Sequence, residues 1–305
     1  MTGNATTGAF APSATGTGRI PAAPPRKAAP PRKKVTVPAV RARKRSTGAE
    51  PLVMLTAYDT PSARLADAAG VDLILVGDSV ANNVLGHADT LQVDVGVMTH
   101  HVAAVGRASP TALVVGDMPW MSYHVSVEDT VRNGAALVRA GAEAVKLEGG
   151  RARLPMIEAL LAAEIPVMGH LGLTPQSVHA MGGYKVQAKH TAAAEALLND
   201  AKALSAAGCF AIVLEGVPDV VAGRVTEEVA VPTIGIGAGP ACDGQVLVFH
   251  DLLGLGEGPA PKFVRRYADL AAVATGAIEQ WAADVRAGSF PSDAESYHLP
   301  NEHSS

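Results

Sequence analysis

Four acidic residues lie close behind short apolar runs of the sequence. Asp78 follows LILV, Asp117 follows ALVVG, Glu148 follows AVKL and Glu215 follows AIVL. Their spacing is 39, 31 and 67 residues, and one β-strand with its following helix takes roughly 30 residues. The acids are therefore one, one and two such units apart. In a parallel β/α barrel they would all lie at the carboxyl ends of the strands, where barrel enzymes place their active sites.

Clustered carboxylates repel one another, so we expect a cation among them. Mg²⁺ prefers oxygen ligands and typically takes one or two carboxylates together with substrate oxygens and water. The sequence has no HExxH motif and no paired CxxC motifs, the spacings typical of zinc sites. An acid after a strand can also be the N-cap of the next helix. That alternative is weaker for Asp117, which precedes Met118-Pro119, and for Glu148, which precedes two glycines.

Two basic side chains lie near the same strand ends as the acids. Lys146 lies two residues before Glu148, and the period of two along a strand places both on one face. Lys146 could bind an anionic group of a substrate or form a structural ion pair with one of the acids. His170 falls at the end of the next predicted strand, either in the site or as a buried histidine that bonds to the backbone.

Two glycine-containing stretches follow later strands. GHLGLTPQSVHAMGGYKVQ, residues 169–187, has no charged residue as far as Tyr184 when histidine is neutral. It is typical of an active-site loop. GIGAGPACDGQ, residues 235–245, could cradle a phosphate group or could simply permit tight packing.

The elements that would position these residues alternate along the chain. Short apolar runs without alternation are typical of parallel strands buried on both faces. About 240 residues with eight such units predict a closed (β/α)₈ barrel, and the alternative is an open doubly wound sheet. The predicted strands are 52–56, 73–76, 112–116, 144–147, 166–169, 211–214, 233–236 and 245–249. The clearest predicted helices are 59–69, 130–140, 192–206 and 219–229.

Charge and composition divide the chain into three parts. Residues 1–48 contain ten Lys or Arg and no acid, whereas the remainder has 15 bases against 29 acids. The first part is rich in Pro and Ala, and we expect a disordered basic tail. A solubilising tail, an arm for anionic partners and an organellar transit peptide are alternative roles for it. Residues 49–289 would form the catalytic barrel, and residues 290–305 a loose polar tail.

Cellular location and partners are constrained by what the sequence lacks. It has two cysteines, no apolar run approaching the ~18 residues of a membrane span and no signal-peptide core after Met1. We therefore expect a cytoplasmic protein without a membrane partner. The acidic body argues against nucleic acid as a partner.

Several motifs identify a family. The chain closely resembles ketopantoate hydroxymethyltransferases over about residues 53–267. The resemblance rests on LTAYD, VGDS, GDMPWMSY, RAGAEAVKLEGG, GHLGLTPQSVHAMGGYKVQ, LEGVP and GIGAGPACDGQVLVFHDLLGL, followed by PKFVRRY. It implies a (β/α)₈ barrel, a homodecamer of two pentameric rings, and one Mg²⁺ per subunit. It also implies transfer of a hydroxymethyl group from 5,10-methylenetetrahydrofolate to 3-methyl-2-oxobutanoate, the first committed step of pantothenate biosynthesis.

The resemblance also implies residue roles. Asp78, Asp117 and Glu148 match the metal residues of the family. Ser79, Asp117 and Lys146 match the keto-acid contacts, and we add Asp78 and His170 as candidate substrate contacts. Glu215 matches the proton acceptor. One departure follows the GDS motif, where the family usually has Leu-Gly-Met and this chain has Val80-Ala81-Asn82; the lost glycine could reshape the loop over the substrate.

These residues and the resemblance lead to a mechanistic hypothesis. Glu215 would remove the C3 proton of the keto acid, and the resulting enolate would attack the methylene carbon of the folate. A lyase or mutase similar to phosphoenolpyruvate mutase and isocitrate lyase is an alternative, as is an inactive scaffold. Such lyases commonly use a nucleophilic cysteine in a KKCGH-like motif, which this sequence lacks, and Cys209 precedes its strand.

Overall fold

The computed structural model describes residues 32–256, 258 and 260–299. The chain divides into two units, Met1–Arg32 and Lys33–Ser305, and only Arg32 of the first unit is described. The disorder predicted for residues 1–31, and the loose end predicted for residues 300–305, lie outside the described residues.

Eight parallel strands form a closed barrel in which each strand pairs with its sequence neighbour. The pairing of β1 with β8 closes it, so the open-sheet alternative is wrong and the (β/α)₈ prediction is confirmed. The strands are β1 Leu52–Thr56, β2 Leu73–Val76, β3 Leu113–Asp117, β4 Ala144–Glu148, β5 Val167–Gly172, β6 Ala211–Glu215, β7 Thr233–Ile236 and β8 Gly244–Leu247.

Helices lie between most of the strands. They are α1 Val37–Arg41, α2 Thr60–Ala69, α3 Val80–Asn83, α4 Val95–Gly106, α5 Val127–Ala140, α6 Leu154–Ala162, α7 Val178–Met181, α8 Thr191–Ala207, α9 Asp219–Glu228, α10 Phe249–Leu253 and α11 Leu270–Ala287. No helix of the described part of the chain is long and apolar enough to cross a membrane. The connection from β7 to β8 has no helix, as the short interval in the sequence indicates.

Local signals set the ends of these elements. The carboxylate of Asp59 caps α2 by accepting a hydrogen bond from the backbone N–H of Ser62, and the Ser62 hydroxyl bonds back to the cap. The helix ends at Gly70, whose φ of 87° is unfavourable for residues with a side chain. Strand β5 runs three residues past its predicted end, because its backbone pairs with β6 as far as Glu215. His170 therefore lies inside β5.

The apolar core has two layers. One fills the space between the strands and the surrounding helices, and the other fills the barrel interior. The interior layer contains Leu52, Leu73 and Phe210, and Val40 of α1 joins it. Helix α1 therefore packs against the amino-terminal end of the barrel, and we call this end the barrel floor.

The segment before the barrel differs from the tail predicted as far as residue 48. Residues from Lys33 onward belong to the same compact unit as the strands. The backbone N–H of Val35 donates to the carbonyl of Thr111 at 2.8 Å, and Val40 is fully buried. Three of its basic side chains have specific acidic partners, and Arg43 for example lies 3.0 Å from Asp72. Composition alone does not reveal these partners, because they are distant in sequence.

Candidate active site

The four acids of the sequence pattern lie together at the carboxyl end of the barrel, which we call the barrel mouth. Asp117, Glu148 and Glu215 are the last residues of β3, β4 and β6, and Asp78 lies two residues after β2. All four line one cavity of about 330 Å³, together with Lys146 and His170. Asp78, Asp117 and Glu148 are buried, whereas the Glu215 side chain is 17 % exposed.

Lys146 lies between the acids, and its Nζ is 2.7 Å from Asp117 Oδ1 and 3.8 Å from Glu148 Oε1. The ion-pair interpretation of Lys146 therefore describes the structure, while its ammonium group also lines the cavity. Burial lowers the pKa of Lys146, but the carboxylates of Asp117, Glu148 and Asp78 raise it more strongly, so the net pKa is raised. The side chain is an ammonium ion at neutral pH.

His170 connects two of the acids. Its Nδ1 lies 3.2 Å from Glu148 Oε1, and its Nε2 lies 3.3 Å from Glu215 Oε2. The imidazole thus contacts carboxylates instead of the backbone partner that was the alternative. Burial and Lys146 lower its pKa, but Glu148 and Glu215 raise it to about 9. In this arrangement His170 is a cation at neutral pH.

Asp78 shows that negative charge is in surplus at the mouth. Burial raises its pKa well above the usual value, and the nearby carboxylates of Asp117 and Glu148 raise it further. Lys146 and a hydrogen bond from Gln176 lower it, but they do not offset the first effects. A bound cation would remove this cost.

The donor chemistry of the mouth fits a hard divalent cation. Asp78, Asp117 and Glu148 offer only oxygen atoms, and among the described residues the buried Oδ1 of Asp117 has the Lys146 ammonium as its partner at 2.7 Å. Within those residues, no group of three or more His, Cys, Asp or Glu side chains could hold a metal ion by itself. A Mg²⁺ site here would therefore need substrate oxygens and water beside one or two of the carboxylates.

Ser79 lines the same cavity at the end of β2. Its hydroxyl shares a hydrogen bond of 2.8 Å with the hydroxyl of buried Tyr58. Burial raises the pKa of Tyr58, so its hydroxyl keeps its proton. The Ser79 oxygen is thereby held at the edge of the cavity, close to Asp78.

Two polar residues with no role in the sequence prediction complete the site. The side chain of Gln176 donates to Asp78 Oδ2 at 3.0 Å, and its backbone N–H donates to Glu148 Oε2 at 3.1 Å. The Tyr123 hydroxyl donates to Gln176 Oε1 at 2.5 Å. Both lie inside motifs that identify the family, GHLGLTPQ and GDMPWMSY, and this is the only sequence signal that could have found them.

The altered stretch after Ser79 forms the short helix α3. Val80 and Ala81 are fully buried, and a helical backbone does not need the glycine that the family usually has. Asn82 lines the cavity, and its Nδ2 donates to the carbonyl of His87 at 3.1 Å. The altered stretch therefore places an amide at the mouth.

The glycine-rich stretch after β7 supports the packing interpretation. Gly237 has a φ of 61°, and a Cβ there would lie 2.8 Å from the ring of Phe263. At Gly239 a Cβ would lie 2.4 Å from Asp219. Both glycines are needed for close approach of neighbouring chain segments.

The chain is similar to known proteins over most of its length. The profile of the family described as Ketopantoate hydroxymethyltransferase matches residues 34–293. A 3-methyl-2-oxobutanoate hydroxymethyltransferase of Koribacter versatilis (strain Ellin345) is 58% identical over 254 residues, covering 83% of this chain and 86% of that protein. A 3-methyl-2-oxobutanoate hydroxymethyltransferase 2 of Bradyrhizobium diazoefficiens is 54% identical over 272 residues, covering 89% and 92%.

Solved structures share the fold at much lower identity. A 2,3-dimethylmalate lyase of the PEP mutase/isocitrate lyase superfamily has a TM-score of 0.55 and 19% identity, covering 90% of this chain and 93% of that one. A phosphonopyruvate hydrolase in complex with oxalate and Mg²⁺ has a TM-score of 0.54 and 14% identity, covering 86% and 92%. At such identities the likeness shows a common barrel architecture.

Proposed function

The chain belongs to the ketopantoate hydroxymethyltransferase family, and from this premise we propose that it transfers a hydroxymethyl group to 3-methyl-2-oxobutanoate. The one-carbon donor in this proposal is 5,10-methylenetetrahydrofolate, and the product is ketopantoate. The observation that carries the proposal is the group of carboxylates around Lys146 at the barrel mouth. Such a site can bind an anionic keto acid and a divalent cation together.

In this proposal Asp78, Asp117 and Glu148 are the residues that would hold Mg²⁺. When bound, the metal supplies a Lewis acid that favours loss of a proton from carbon next to the ketone. The Lys146 ammonium attracts the keto-acid carboxylate. Ser79 donates or accepts a hydrogen bond at the same substrate, with its orientation set by Tyr58.

Glu215 is the proposed base, because its carboxylate is the least buried of the four and faces the cavity. It takes the proton from C3 of the keto acid, leaving an enolate. The C3 carbon then forms a bond to the methylene carbon of the folate, whose nitrogen receives the electron pair. Water then replaces the remaining folate nitrogen on that carbon and supplies the hydroxyl oxygen of the product. The C3 proton and one proton of the water pass to the two folate nitrogens, so tetrahydrofolate is released. His170 contacts Glu215 and orients its carboxylate.

The apolar part of the cavity accommodates the rest of the substrate. Leu75, Val213, Ile236 and Val246 line it beside the acids. A branched alkyl group of a small keto acid would remove these side chains from water. This supports 3-methyl-2-oxobutanoate as the substrate over an unbranched keto acid.

The lyase or mutase alternative has no cysteine nucleophile to support it. Cys209 and Cys242 are both buried, and they precede β6 and β8, at the floor and not at the mouth. Burial raises the pKa of the Cys209 thiol to about 12. Neither thiol reaches the carboxylates.

A homodecamer in the cytoplasm remains part of the proposal. Helix α11 supports self-association, because none of its residues is buried in the single chain. Its Val273, Ile278 and Trp281 are each more than half exposed, and exposed apolar surface of this kind typically marks an interface. The two buried free thiols agree with a reducing compartment.

Hydrogen–deuterium exchange at C3 of 3-methyl-2-oxobutanoate tests the proposed base. We expect Mg²⁺-dependent exchange in the wild-type chain and about 10²- to 10⁴-fold slower exchange in Glu215→Gln, the usual range for loss of a general base. The variant should retain its affinity for the metal and the keto acid. Glu158→Gln, an exposed acid on α6, should exchange at the wild-type rate. Undiminished exchange in Glu215→Gln would assign the proton transfer to another residue.

A further inference from the structure

Gln176 contacts two of the proposed metal carboxylates at once. It lies in the 3₁₀ turn Pro175–Ser177 after β5 and is 5 % exposed. Its side chain reaches Asp78, which follows β2, whereas its backbone N–H reaches Glu148 at the end of β4. Strands β2 and β4 do not pair with each other, since β3 lies between them. Gln176 therefore spans acids that no sheet hydrogen bond holds together.

The orientation of the Gln176 amide follows from its neighbours. The Tyr123 hydroxyl accepts a hydrogen bond from the backbone N–H of Glu148 at 3.2 Å, so its own proton is free for Gln176 Oε1. The carbonyl of Met118 can only accept, and it lies 3.0 Å from Gln176 Nε2. These contacts turn the NH₂ group toward Asp78. Both N–H donors of the amide group and one lone pair of its oxygen are thereby used.

Each acid that Gln176 contacts keeps its second oxygen for another partner. Gln176 donates to Oδ2 of Asp78 and Oε2 of Glu148, while Oε1 of Glu148 faces His170 and Lys146. A carboxylate that is held through one oxygen cannot rotate freely to offer the other. Outer-shell hydrogen bonds of this kind orient metal ligands and typically affect metal affinity by 10- to 100-fold.

We propose that Gln176, braced by Tyr123, is a positioning residue that holds Asp78 and Glu148 in the geometry that binds the divalent cation. This inference rests on the proposed function, because it assigns Gln176 a part in the same site. Gln176 acts through the carboxylates and not on the substrate itself.

Mn²⁺ binding to the metal-free full-length chain, followed by electron paramagnetic resonance, tests the inference without relying on activity. In Gln176→Leu we expect the Kd for Mn²⁺ to rise at least about 10-fold, measured at a temperature at which the metal-free variant is folded, since the loss of three buried hydrogen bonds also lowers its midpoint of thermal unfolding. A purely structural role would lower the midpoint and leave the Kd unchanged. The matched control is Gln187→Leu, whose side chain bonds only to the carbonyl of Lys185 among its described contacts; its Kd should stay unchanged.

A second variant keeps the test decisive if Gln176→Leu does not fold. Tyr123→Phe retains the ring but removes the hydroxyl that braces Gln176, so its Kd for Mn²⁺ should also rise. Because Tyr123 acts partly through Gln176 and also accepts a hydrogen bond from the backbone N–H of Glu148, the rise in Kd of the double variant should be smaller than the product of the two single rises. A wild-type Kd in Gln176→Leu, or in Tyr123→Phe where only that variant folds, would overturn the inference.

The Mn²⁺ titration distinguishes a wrong positioning role from a wrong metal site. If the wild-type chain binds Mn²⁺ and the Gln176 and Tyr123 variants bind it equally well, only the positioning role is wrong. If the wild-type chain binds no Mn²⁺, the metal site itself is wrong and the role of Gln176 is overturned with it.

Discussion

The acidic residues at the two ends of the barrel differ in whether each has a cationic partner of its own. At the floor, three acids that directly precede strands each pair with a cation from residues 34–44. These pairs are Lys34–Glu143, Arg43–Asp72 and Lys44–Asp243, at 2.6, 3.0 and 2.9 Å. At the mouth, four carboxylates share Lys146 and His170. Strands β2 and β4 have an acid near both ends, so the same strands carry both arrangements.

This difference in pairing suggests that the floor charges serve stability and the mouth charges serve binding. A floor acid is matched by a cation of the same chain, so its charge is satisfied once the protein folds. The mouth keeps a surplus of negative charge, and the raised pKa of Asp78 shows that burial and its neighbours disfavour that charge. An external cation would offset this surplus. Removing a floor charge should therefore affect folding, whereas removing a mouth acid should affect binding.

The largest expected effect comes from removing an acid at the mouth. Asp117→Asn should slow C3 exchange of the keto acid by about 10³-fold or more, because several kcal/mol of metal stabilisation are lost. Its Kd for Mn²⁺, measured by titration, should rise as well. The matched variant at the floor is Asp72→Asn, which should lower stability and leave the Kd unchanged. Equal losses of metal affinity in both variants would contradict the division between the two ends.

A smaller effect should follow from removing a cation at the floor. Asp243 is fully buried and accepts hydrogen bonds from the backbone N–H groups of Arg45 and Thr233 as well as from Lys44. Lys44→Met leaves this carboxylate without its ammonium partner, and we expect a loss of about 3 kcal/mol in the free energy of unfolding. Urea denaturation measures the loss, and Lys202→Met, which breaks an exposed pair with Glu228, should change stability much less.

Metal affinity is the second readout for Lys44→Met. Because the pair lies at the floor, the folded variant should bind Mn²⁺ with the wild-type Kd. Wild-type stability, or a weakened metal site in the folded variant, would show that the two ends are not separate in this way.

The smallest expected effect is a pH dependence that belongs to the mouth alone. Burial and Lys146 lower the pKa of His170, but Glu148 and Glu215 raise it to about 9, above its usual 6.5. Protonated His170 therefore stabilises the metal-free fold fully below about pH 6.5, and this contribution is lost as the pH rises through about 9. The decrease should be at most about 3 kcal/mol.

Urea denaturation between pH 6 and 9.5, without metal, checks this decrease. His170→Asn should show a flatter profile than the wild type, whereas His298→Asn, which removes an exposed imidazole near the end of the described chain, should keep the wild-type slope. A profile of His170→Asn that is as steep as that of the wild type would assign the pH dependence to other groups.

The sequence by itself determined the barrel and most of the mouth. Apolar runs followed by acids at intervals of whole β/α units predict which residues end strands, because side-chain direction and unit length are local properties. The period of two likewise places Lys146 beside Glu148, and in the structure Lys146 Nζ lies 3.8 Å from Glu148 Oε1. The family motifs predict the same residues, and the structure gathers all of them at the mouth.

Only the tertiary structure decided the contacts between distant segments. Closure of β1 on β8 brings Asp243 beside Lys44, so a segment that resembles a basic tail packs against the floor. The turn after β5 brings Gln176 to Asp78, across 98 residues of sequence. Such pairs have no local pattern, because their partners depend on how the whole chain closes. The local sequence determines whether a segment becomes a strand or a helix, whereas the fold of the whole chain determines which charged side chains pair.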